Sequence, residues 1–474
     1  MDKSNETNPQ KYKIFPIFAE IIEEMSAFKA YDFRGVYGID FDLNTIYRFG
    51  YFLPKLLKTD KVLVGRDVRL STPEIFEHLR MGINDAGADL YDMGLTTTPM
   101  VYYFTAKHHF EASVMITASH NPKEYNGLKV SRKEALPFGY DSGLSDLEEL
   151  VLSDTPAVKA TVPGKVIPHP VMDEYIEFLS QYQSDFSDLK IAVDCSNGMG
   201  SILAKKVIGE HQLYIHDTPD GSFPNHDPNP LEAENREDIE NLVLSSKADV
   251  GILFDGDADR VVFIDEKGNF IPPDLIIAVM GHYFAEREKD HEGIYYIQDI
   301  RTSKSVTEYL TAMGFKPYIW RVGRAFAALK LREIDGLFGG EFAGHYYLKD
   351  FYYSDSAMVA VLIVLNVLAK LKKEGIPFSK LIDKIKVYHN SGEINFTLDR
   401  KQEAMEALKD HFSKQEKVLQ LLDFDGYRLE FHDWWFNVRP SNTEPYLRLI
   451  VEAKVAPLLD LKIKEITEII NKFK

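Results

Sequence analysis

Val114-Met115-Ile116-Thr117-Ala118-Ser119-His120-Asn121-Pro122 is the stretch around which the rest of the chain is organised. Its apolar start, Val114 to Ile116, predicts a buried strand, and Pro122 ends further strand pairing. In open α/β sheets, chemistry is placed in the polar loops that follow such strands. Ser119 is therefore a candidate catalytic residue. Taken alone, however, the stretch fits better a plain strand-to-helix turn with Ser119 as the helix N-cap.

Length and charge restrict the class of protein. The chain has 474 residues, 45% of them hydrophobic and 27% charged, which is ordinary for a globular protein of about three domains. Its formal net charge of -18 argues against a general nucleic-acid binder, which needs a basic face. An anionic small molecule is still a possible ligand, because a pocket can be locally basic on an acidic protein.

Cysteine content and hydropathy predict a cytoplasmic protein without a membrane partner. Cys195 is the only cysteine, so no intrachain disulfide can form and a reducing compartment is expected. Residues 1–25 are predicted as a polar lead-in with a short helix, and they lack the apolar region of a signal peptide. The apolar run at 357–369 is too short to span a bilayer and predicts a buried helix.

Strand-like and helix-like stretches alternate along the first 384 residues, which predicts parallel sheets with crossover helices. In each of three units an apolar strand ends in a polar loop, at Ser119, Asp255 and Gly339. Stretches 153–170 and 266–273 are predicted linkers. After about residue 384 the pattern changes. We expect an α/β protein with three related mixed-sheet α/β domains and a C-terminal α+β domain, with bounds 1–155, 156–266, 267–384 and 385–474.

A cluster of aspartates predicts a metal site. Asp255, Asp257 and Asp259 alternate in the loop after the second unit's strand, and carboxylates this close repel unless a cation or protons neutralise them. Oxygen ligands alone suit Mg²⁺ or Ca²⁺ rather than zinc. An EF-hand is excluded, because Arg260 stands where that loop needs glycine and the flanks are strand-like. An exposed acidic turn is the alternative, but Arg260 adds an anion-binding charge, which favours a metal site.

The last domain contains a predicted phosphate-binding loop. The segment 439–445 is a proline-bounded turn that follows the strand beginning at Trp434. Arginines bind phosphate with two parallel hydrogen bonds, and turn amides and hydroxyls complete such a site. A polar hairpin loop is the alternative. The candidate phosphate-binding residues are Arg439, Ser441, Asn442, Thr443 and Arg448.

Further polar residues lie in or near these loops. Glu341 and His345 belong to a glycine-rich loop, where their side chains can hydrogen-bond to sugar hydroxyls. Arg301 and Arg324 add positive charge, although an exposed-face role fits each of them as well. Lys129 follows the serine loop closely and is a candidate for proton transfer or phosphate contact.

Together the four loops resemble those of the α-D-phosphohexomutase superfamily, which includes phosphomannomutases and phosphoglucomutases. Segment 117–122 is similar to the phosphoserine loop, 255–260 to the magnesium loop and 340–345 to the sugar-recognition loop. Segment 439–444 resembles the phosphate-binding loop, and the similarity begins at residues 31–35. The superfamily fold has four domains around a central cleft, which agrees with the division given above.

The resemblance implies a phosphosugar mutase that interconverts hexose 1-phosphate and hexose 6-phosphate, with mannose as the main sugar and glucose as a second one. Phosphorylated Ser119 would form a hexose 1,6-bisphosphate intermediate and be regenerated from it, with Mg²⁺ as cofactor. The implied catalytic residues are Ser119, Arg34, His120, Lys129 and Arg260. The implied metal ligands are Ser119, Asp255, Asp257 and Asp259. The implied substrate-binding residues are Arg301, Arg324, Glu341, His345, Arg439, Ser441, Asn442, Thr443 and Arg448.

Two departures from the family pattern concern specificity. Many members have serine where Ala343 stands, and histidine where Arg324 stands. The alternatives are a phosphoglucosamine mutase, a phosphosugar phosphatase and a phosphosugar-binding protein without activity. The expected partner is a small phosphosugar, with the chain a monomer or a weak homodimer.

Overall fold

Four β-sheets, one after another in the chain, organise residues 27–441 and 445–474, which the computed structural model describes. The short helix predicted within residues 1–25 lies outside these residues. Three of the sheets mix parallel and antiparallel pairs, and the fourth is antiparallel. The predicted α/β architecture, with mixed sheets, is therefore confirmed.

The first sheet has the strand order β1-β5-β4-β2-β3-β7, with β6 paired to β5. Its central strand β4 is buried along its whole length. The strands are β1 Phe33–Val36, β2 Lys61–Arg66, β3 Asp89–Leu95, β4 Ala112–Ile116, β5 Tyr125–Arg132, β6 Leu136–Pro137 and β7 Val166–Pro168. The helices are α1 Leu43–Leu56, α2 Thr72–Asp85, α3 Thr98–Lys107 and α4 Leu144–Leu152.

Two features of this sheet differ from the expectations. The chain does not enter a helix after Ser119; it returns as β5, which pairs antiparallel with β4, so Ser119 caps no helix. The residues predicted as the first linker include β7, which pairs parallel with β3. Only local sequence entered these expectations, and both differences depend on pairing with strands that are distant in sequence.

The second sheet has the order β12-β11-β10-β8-β9. The buried strand β10 pairs parallel with β8 and antiparallel with β11, so the aspartate loop is the turn of a β-hairpin. The strands are β8 Ile191–Asp194, β9 Leu213–Ile215, β10 Val250–Phe254, β11 Val261–Asp265 and β12 Phe270–Ile271. The helices are α5 Met172–Ser180, α6 Ala204–Ile208 and α7 Glu237–Ser246.

The third sheet has the order β14-β13-β15-β16. The predicted buried helix is present as α11, whose first turn is capped by the Ser356 side chain. The strands are β13 Tyr295–Asp299, β14 Lys316–Trp320, β15 Phe338–Gly340 and β16 Tyr346–Leu348. The helices are α8 Pro273–Arg287, α9 Lys304–Ala312, α10 Arg324–Glu333, α11 Ala357–Lys373 and α12 Phe378–Ile385.

The fourth sheet is antiparallel, with the order β17-β22-β21-β20-β19 and β18 paired to β22. Its strands are β17 His389–Asn390, β18 Ile394–Thr397, β19 Gln420–Leu422, β20 Tyr427–Glu430, β21 Trp434–Pro440 and β22 Tyr446–Ala453. Two helices, α13 Lys401–Gln415 and α14 Ala456–Ile470, belong to the same hydrophobic cluster as this sheet. No helix within residues 27–441 and 445–474 combines the length and hydropathy needed to cross a bilayer.

Candidate active site

The serine loop joins β4 to β5 and places Ser119 against the second domain. Ser119 has a φ of 52°, in the left-handed region, and its amide donates a 2.9 Å hydrogen bond to the Thr117 hydroxyl. Its side chain is buried, and Oγ donates to Asp255 Oδ2 at 2.8 Å. The hydroxyl of the predicted phosphoryl carrier therefore points directly at the predicted metal loop.

The aspartate loop is the turn between β10 and β11, and its three carboxylates are fully buried. Asp255 Oδ1 accepts hydrogen bonds from the amides of Asp259 and Arg260, both at 3.1 Å, so the loop folds around this carboxylate. Asp257 Oδ2 accepts hydrogen bonds from the Thr98 hydroxyl at the start of α3 and from the Lys129 ammonium. Two elements of the first domain, α3 and β5, thus hold the aspartate loop in place.

Burial and neighbouring charges shift the pKa values of Asp255 and Asp259 in opposite directions. Burial, with the charges of Asp257 and Asp259 added to it, raises the pKa of Asp255 well above its ordinary value. Burial also acts on Asp259, but Lys129 Nζ lies 2.6 Å from Asp259 Oδ2, and its charge contributes to holding that pKa below the ordinary value. Lys129 itself has a raised pKa despite its burial, because Asp257 and Asp259 stabilise its charge.

The residues fit a hard cation. Asp257 Oδ1 and Asp259 Oδ1 are buried oxygen atoms without a hydrogen-bond partner. One ligand oxygen from each of the three aspartates can be chosen so that all lie within 4.8 Å of one another. Buried carboxylate oxygens normally have a partner, so an all-oxygen set with two orphan atoms matches what Mg²⁺ requires.

Two basic residues flank the serine. Arg34, on β1, donates a 2.9 Å hydrogen bond to Asn121 Oδ1 and forms an ion pair with Asp32. His120 Nδ1 lies 3.3 Å from Ser119 Oγ. Burial, together with the positive charges of Arg260, Arg34 and Lys129, lowers the pKa of His120 well below its ordinary value, so the ring is neutral at pH 7.

A chain of hydrogen bonds links the aspartate loop to the third domain. Arg260 Nε donates to His345 Nε2 at 2.9 Å, and His345 Nδ1 lies 2.6 Å from Asp355 Oδ2. Asp355 Oδ1 accepts from Arg324 Nε at 2.8 Å. The Arg324 guanidinium lies 3.5 Å from the centre of the Tyr102 ring, so it is held between the first and third domains.

Glu341 lies buried in the glycine-rich loop. Its Oε1 accepts hydrogen bonds from the Tyr347 hydroxyl at 2.9 Å and from the Gly323 amide at 3.3 Å. Burial raises the pKa of Glu341 above its ordinary value. The carboxyl group is thus fixed on one side, and only its second oxygen is left for a ligand.

Three arginines of the third and fourth domains, Arg301, Arg439 and Arg448, form one cluster. Arg439 and Arg448 face each other in register on β21 and β22. Glu393 bridges the cluster, with Arg448 Nη1 at 2.9 Å and Arg301 Nη1 at 3.8 Å. Burial and the nearby charge of Arg301 lower the pKa of Arg439. Guanidinium groups brought together in this way favour a dianion such as phosphate.

The tip of the predicted phosphate loop is described only in part. The Ser441 amide donates a 2.9 Å hydrogen bond to the Tyr446 carbonyl, which closes the hairpin between β21 and β22. Asn442 and Thr443 lie outside the described residues, so their part in phosphate binding stays a prediction.

Three residues that position the site were not identified from the sequence. Arg69 donates hydrogen bonds to the carbonyls of the serine loop, including Ser119 at 2.9 Å. Thr98 contacts Asp257, and Asp355 orients His345. The threonine run 96–98 before a proline signals only a helix start, and Arg69 and Asp355 have no local signal, because their partners are distant in sequence.

Direct contacts join the four domains that carry these loops. Ser119 and Lys129 of the first domain contact the aspartates of the second, as described above. The amide of Val261 donates to the Gly344 carbonyl at 3.3 Å, between the second and third domains. Asp425 Oδ2 accepts from the Val322 amide at 2.8 Å, which joins the fourth domain to the third.

Family models match the chain in four consecutive segments. The sequence matches the models described as phosphoglucomutase/phosphomannomutase alpha/beta/alpha domain I over residues 25–155, domain II over 173–268 and domain III over 272–388. It matches the C-terminal domain model of the same family over residues 393–468.

Individual relatives cover nearly the whole chain. The phosphomannomutase of Escherichia coli K12 is 35% identical over 95% of this chain and 100% of its own. The phosphomannomutase of Methanocaldococcus jannaschii is also 35% identical, over 95% of this chain and 98% of its own. A phosphoglucomutase/phosphomannomutase family protein from Burkholderia thailandensis has a TM-score of 0.82 at 26% identity, covering 94% of this chain and 97% of that one. The chain belongs to the phosphoglucomutase/phosphomannomutase family and is a phosphohexose mutase, an isomerase.

Proposed function

We propose that the chain interconverts mannose 1-phosphate and mannose 6-phosphate, and accepts glucose phosphates as a second substrate, through a phosphoserine at Ser119. The observation that carries the proposal is the 2.8 Å contact between Ser119 Oγ and Asp255, inside a buried cluster of three aspartates. A binding protein needs no such nucleophile. The choice of mannose follows the similarity to phosphomannomutases at 35% identity.

The reaction consists of two phosphoryl transfers. In the first, the Oγ–P bond of phosphorylated Ser119 breaks as a free hydroxyl of the hexose monophosphate bonds to phosphorus, which gives a hexose 1,6-bisphosphate. That hydroxyl loses a proton, and the neutral ring of His120, 3.3 Å from Oγ, is placed to accept it. In the second transfer the other phosphoryl group returns to Ser119, and the proton returns to the product oxygen.

Charge at the reacting serine is neutralised by fixed groups. When Mg²⁺ is bound by Asp255, Asp257, Asp259 and the Ser119 oxygen, it supplies positive charge for the phosphoryl oxygens. Lys129, whose ammonium contacts Asp257 and Asp259, supplies a further positive charge beside the reacting serine. Phosphoryl transfer depends on such positioning and charge neutralisation.

The arginine cluster is the group that we propose to hold the phosphate that is not being transferred. Arg301, Arg439 and Arg448 surround Glu393, and Asp299 and Asp425 balance the charges of Arg301 and Arg439. The phosphate would therefore be bound through the paired N–H donors of the guanidinium groups rather than through an excess of charge. Glu341 and His345 belong to the glycine-rich loop of the third domain, and His345 contacts Arg260 at the end of the aspartate loop. They are the groups we propose to hydrogen-bond to the sugar hydroxyls.

Phosphorus NMR tests the proposal. The protein is incubated with mannose 1-phosphate, Mg²⁺ and a trace of hexose 1,6-bisphosphate as activator, and the 6-phosphate signal is expected to appear. Free inorganic phosphate as the main product would instead identify a phosphatase. Parallel reactions with glucose and glucosamine phosphates rank the sugars, and a clear preference for glucosamine would contradict the choice of mannose.

A variant pair tests the serine. Ser119→Ala is expected to lower turnover about a thousandfold or more, because the phosphoryl carrier is lost. Ser187→Ala, at an exposed position of the second domain, is the matched control and should keep wild-type turnover. Wild-type rates in Ser119→Ala would refute the phosphoserine mechanism.

A further inference from the structure

A second group of metal-ligating side chains lies in the second domain, outside the three-aspartate loop. Asp194 ends β8, His216 follows β9 directly, and His226 comes from the loop beyond it. Asp194 Oδ2 lies 3.0 Å from His216 Nδ1 and 3.2 Å from His226 Nε2. One ligand atom from each of the three residues can be chosen so that all lie within 4.8 Å of one another. We call these residues the Asp194 cluster.

The outer nitrogen of each histidine also faces an oxygen acceptor. His226 Nδ1 lies 2.8 Å from the Asp227 carbonyl oxygen, and His216 Nε2 lies 3.4 Å from Asp238 Oδ2. A neutral imidazole donates through only one nitrogen. If each ring donates outward, the inner nitrogens direct two lone pairs at the Asp194 carboxylate. Such an arrangement is repulsive unless a cation lies between these atoms.

The same arrangement is typical of histidines that bind metal ions. In such sites the outer ring N–H is held by a carboxylate or a backbone carbonyl, which fixes the tautomer and points the other nitrogen at the metal. The ligand carboxylate is also oriented here, because Asp194 Oδ1 accepts a 2.8 Å hydrogen bond from the Ser196 amide. Only Oδ2 faces the two rings.

We propose that the Asp194 cluster binds a divalent transition metal ion of the zinc class, through Asp194 Oδ2, His216 Nδ1 and His226 Nε2. Two imidazoles and one carboxylate suit such an ion better than Mg²⁺ or Ca²⁺. Three protein ligands leave a fourth position for water. The side chain of Asp194 is buried, whereas His216 is 13% exposed and provides a route to solvent.

The bound ion would stabilise a turn that contacts the aspartate loop. The turn after Asp194 is anchored on the aspartate hairpin: the Ser196 hydroxyl donates to the Phe254 carbonyl at 2.6 Å, and the Met199 amide donates to the Gly256 carbonyl at 2.8 Å. An ion held by Asp194 would therefore restrain the turn that hydrogen-bonds to the hairpin of the three-aspartate loop. Its role is structural, and the proposal is independent of which sugar the enzyme prefers.

Zinc analysis tests the proposal. The wild-type protein is equilibrated with Zn²⁺ in the presence of excess Mg²⁺, dialysed, and analysed by atomic emission; one zinc ion per chain is expected. His216→Gln and His226→Gln should each lose that ion. His211→Gln, at an exposed position of the same domain, should keep it. Asp257→Asn should also keep it, because Asp257 belongs to the three-aspartate loop.

A second measurement uses only the wild-type protein, so its result does not depend on whether the variants fold. Crystals soaked in Zn²⁺ should give an anomalous difference peak between the three proposed ligand atoms. A zinc content that is unchanged in His226→Gln, or an anomalous peak confined to the three-aspartate loop, would overturn the proposal. The Asp194 cluster would then be an ion-pair group with protonated histidines.

Discussion

Lys129 is the internal counterion of the three-aspartate loop. Its Nζ lies 2.7 Å from Asp257 Oδ2 and 2.6 Å from Asp259 Oδ2, in a buried position. Removing one partner of a buried ion pair costs about 3–5 kcal/mol, because the remaining charges are uncompensated. Lys129→Met should therefore lower the free energy of unfolding by about 3 kcal/mol in the absence of Mg²⁺.

Added Mg²⁺ should raise the melting temperature of Lys129→Met more than that of the wild type, because the ion replaces the lost charge. The measurement is thermal unfolding with and without Mg²⁺. Lys133→Met is the control: its ion pair with Glu111 is about half exposed, so its removal should change stability by less than about 1 kcal/mol. Equal Mg²⁺ effects on the wild type and Lys129→Met would contradict this role.

Asp274, in the first turn of α8, makes stability depend on pH. Burial, with the charge of Glu452 added, raises the pKa of Asp274 from 3.8 to about 7. The folded state therefore binds this proton more tightly than the unfolded state. The resulting stability is fully present below about pH 4 and is lost as the pH rises to about 7, a change of roughly 4 kcal/mol.

Asp274→Asn should remove this slope while leaving an acceptor for the Ser303 amide, which donates to Asp274 Oδ2 at 2.8 Å. The difference in unfolding free energy between the variant and the wild type, measured by urea unfolding, should favour the variant more at about pH 8 than at about pH 5. Asp141→Asn, at an exposed position, should give a curve parallel to wild type. If the Asp274→Asn curve is also parallel, Asp274 does not carry the effect.

At the scale of elements, the β4–β5 hairpin depends on one arginine. The Arg69 guanidinium donates four hydrogen bonds of 2.6–3.0 Å, to the carbonyls of Ser119, Asn121, Pro122 and Tyr125. A lysine in its place keeps the charge but lacks the planar set of donors. Arg69→Lys should therefore release the serine loop from its left-handed conformation.

Arg69→Lys is expected to lower kcat at least about tenfold, with a smaller change in KM, because Ser119 is misplaced while the sugar and phosphate contacts are kept. Steady-state kinetics with the phosphosugar gives both values. Arg66→Lys, whose partner Asp92 is partly exposed, serves as control and should stay within about twofold of wild type. A kcat equal to wild type in Arg69→Lys would exclude the positioning role.

The hydropathy pattern along the sequence was sufficient to predict several elements of the fold. Strand β10 is apolar and buried along its length, and helix α11 is buried over 357–369 except at Asn366, so hydropathy alone located them. The β4–β5 hairpin was missed, because a hydroxyl residue after a strand signals a helix cap as readily as a tight turn. Arg69 and Asp355 were missed because side chains distant in sequence are brought together only by tertiary packing.

At the scale of the whole molecule, arginines from several domains are brought to one site. The chain has a net charge of -18, but four arginines converge on the site from three domains: Arg34, Arg301, Arg439 and Arg448. Each of these arginines also has a carboxylate partner, so an anionic ligand would be bound by the arrangement of guanidinium donors and not by an excess of positive charge. This arrangement requires that the domains keep their relative positions, because each contributes only part of the donor set.

Arg428 is one of the residues that join the fourth domain to the third. Its Nη1 donates to the carbonyls of Ile300 and Thr302 at 2.8 and 2.7 Å, on either side of Arg301, and its guanidinium lies 3.8 Å from the Trp435 ring centre. Arg428→Lys cannot make both hydrogen bonds and the ring contact together. Arg301 would then shift relative to the fourth-domain arginines.

The expected result for Arg428→Lys is a KM for the phosphosugar raised about tenfold, with kcat changed less, because phosphate binding is weakened while Ser119 and the aspartates stay in place. Steady-state kinetics over a range of phosphosugar concentrations measures the two effects. Arg400→Lys is the matched control in the same domain, since its ion pair with Glu403 is more than half exposed. A fall in kcat at unchanged KM would mean that this contact acts on the transfer step and not on the phosphate.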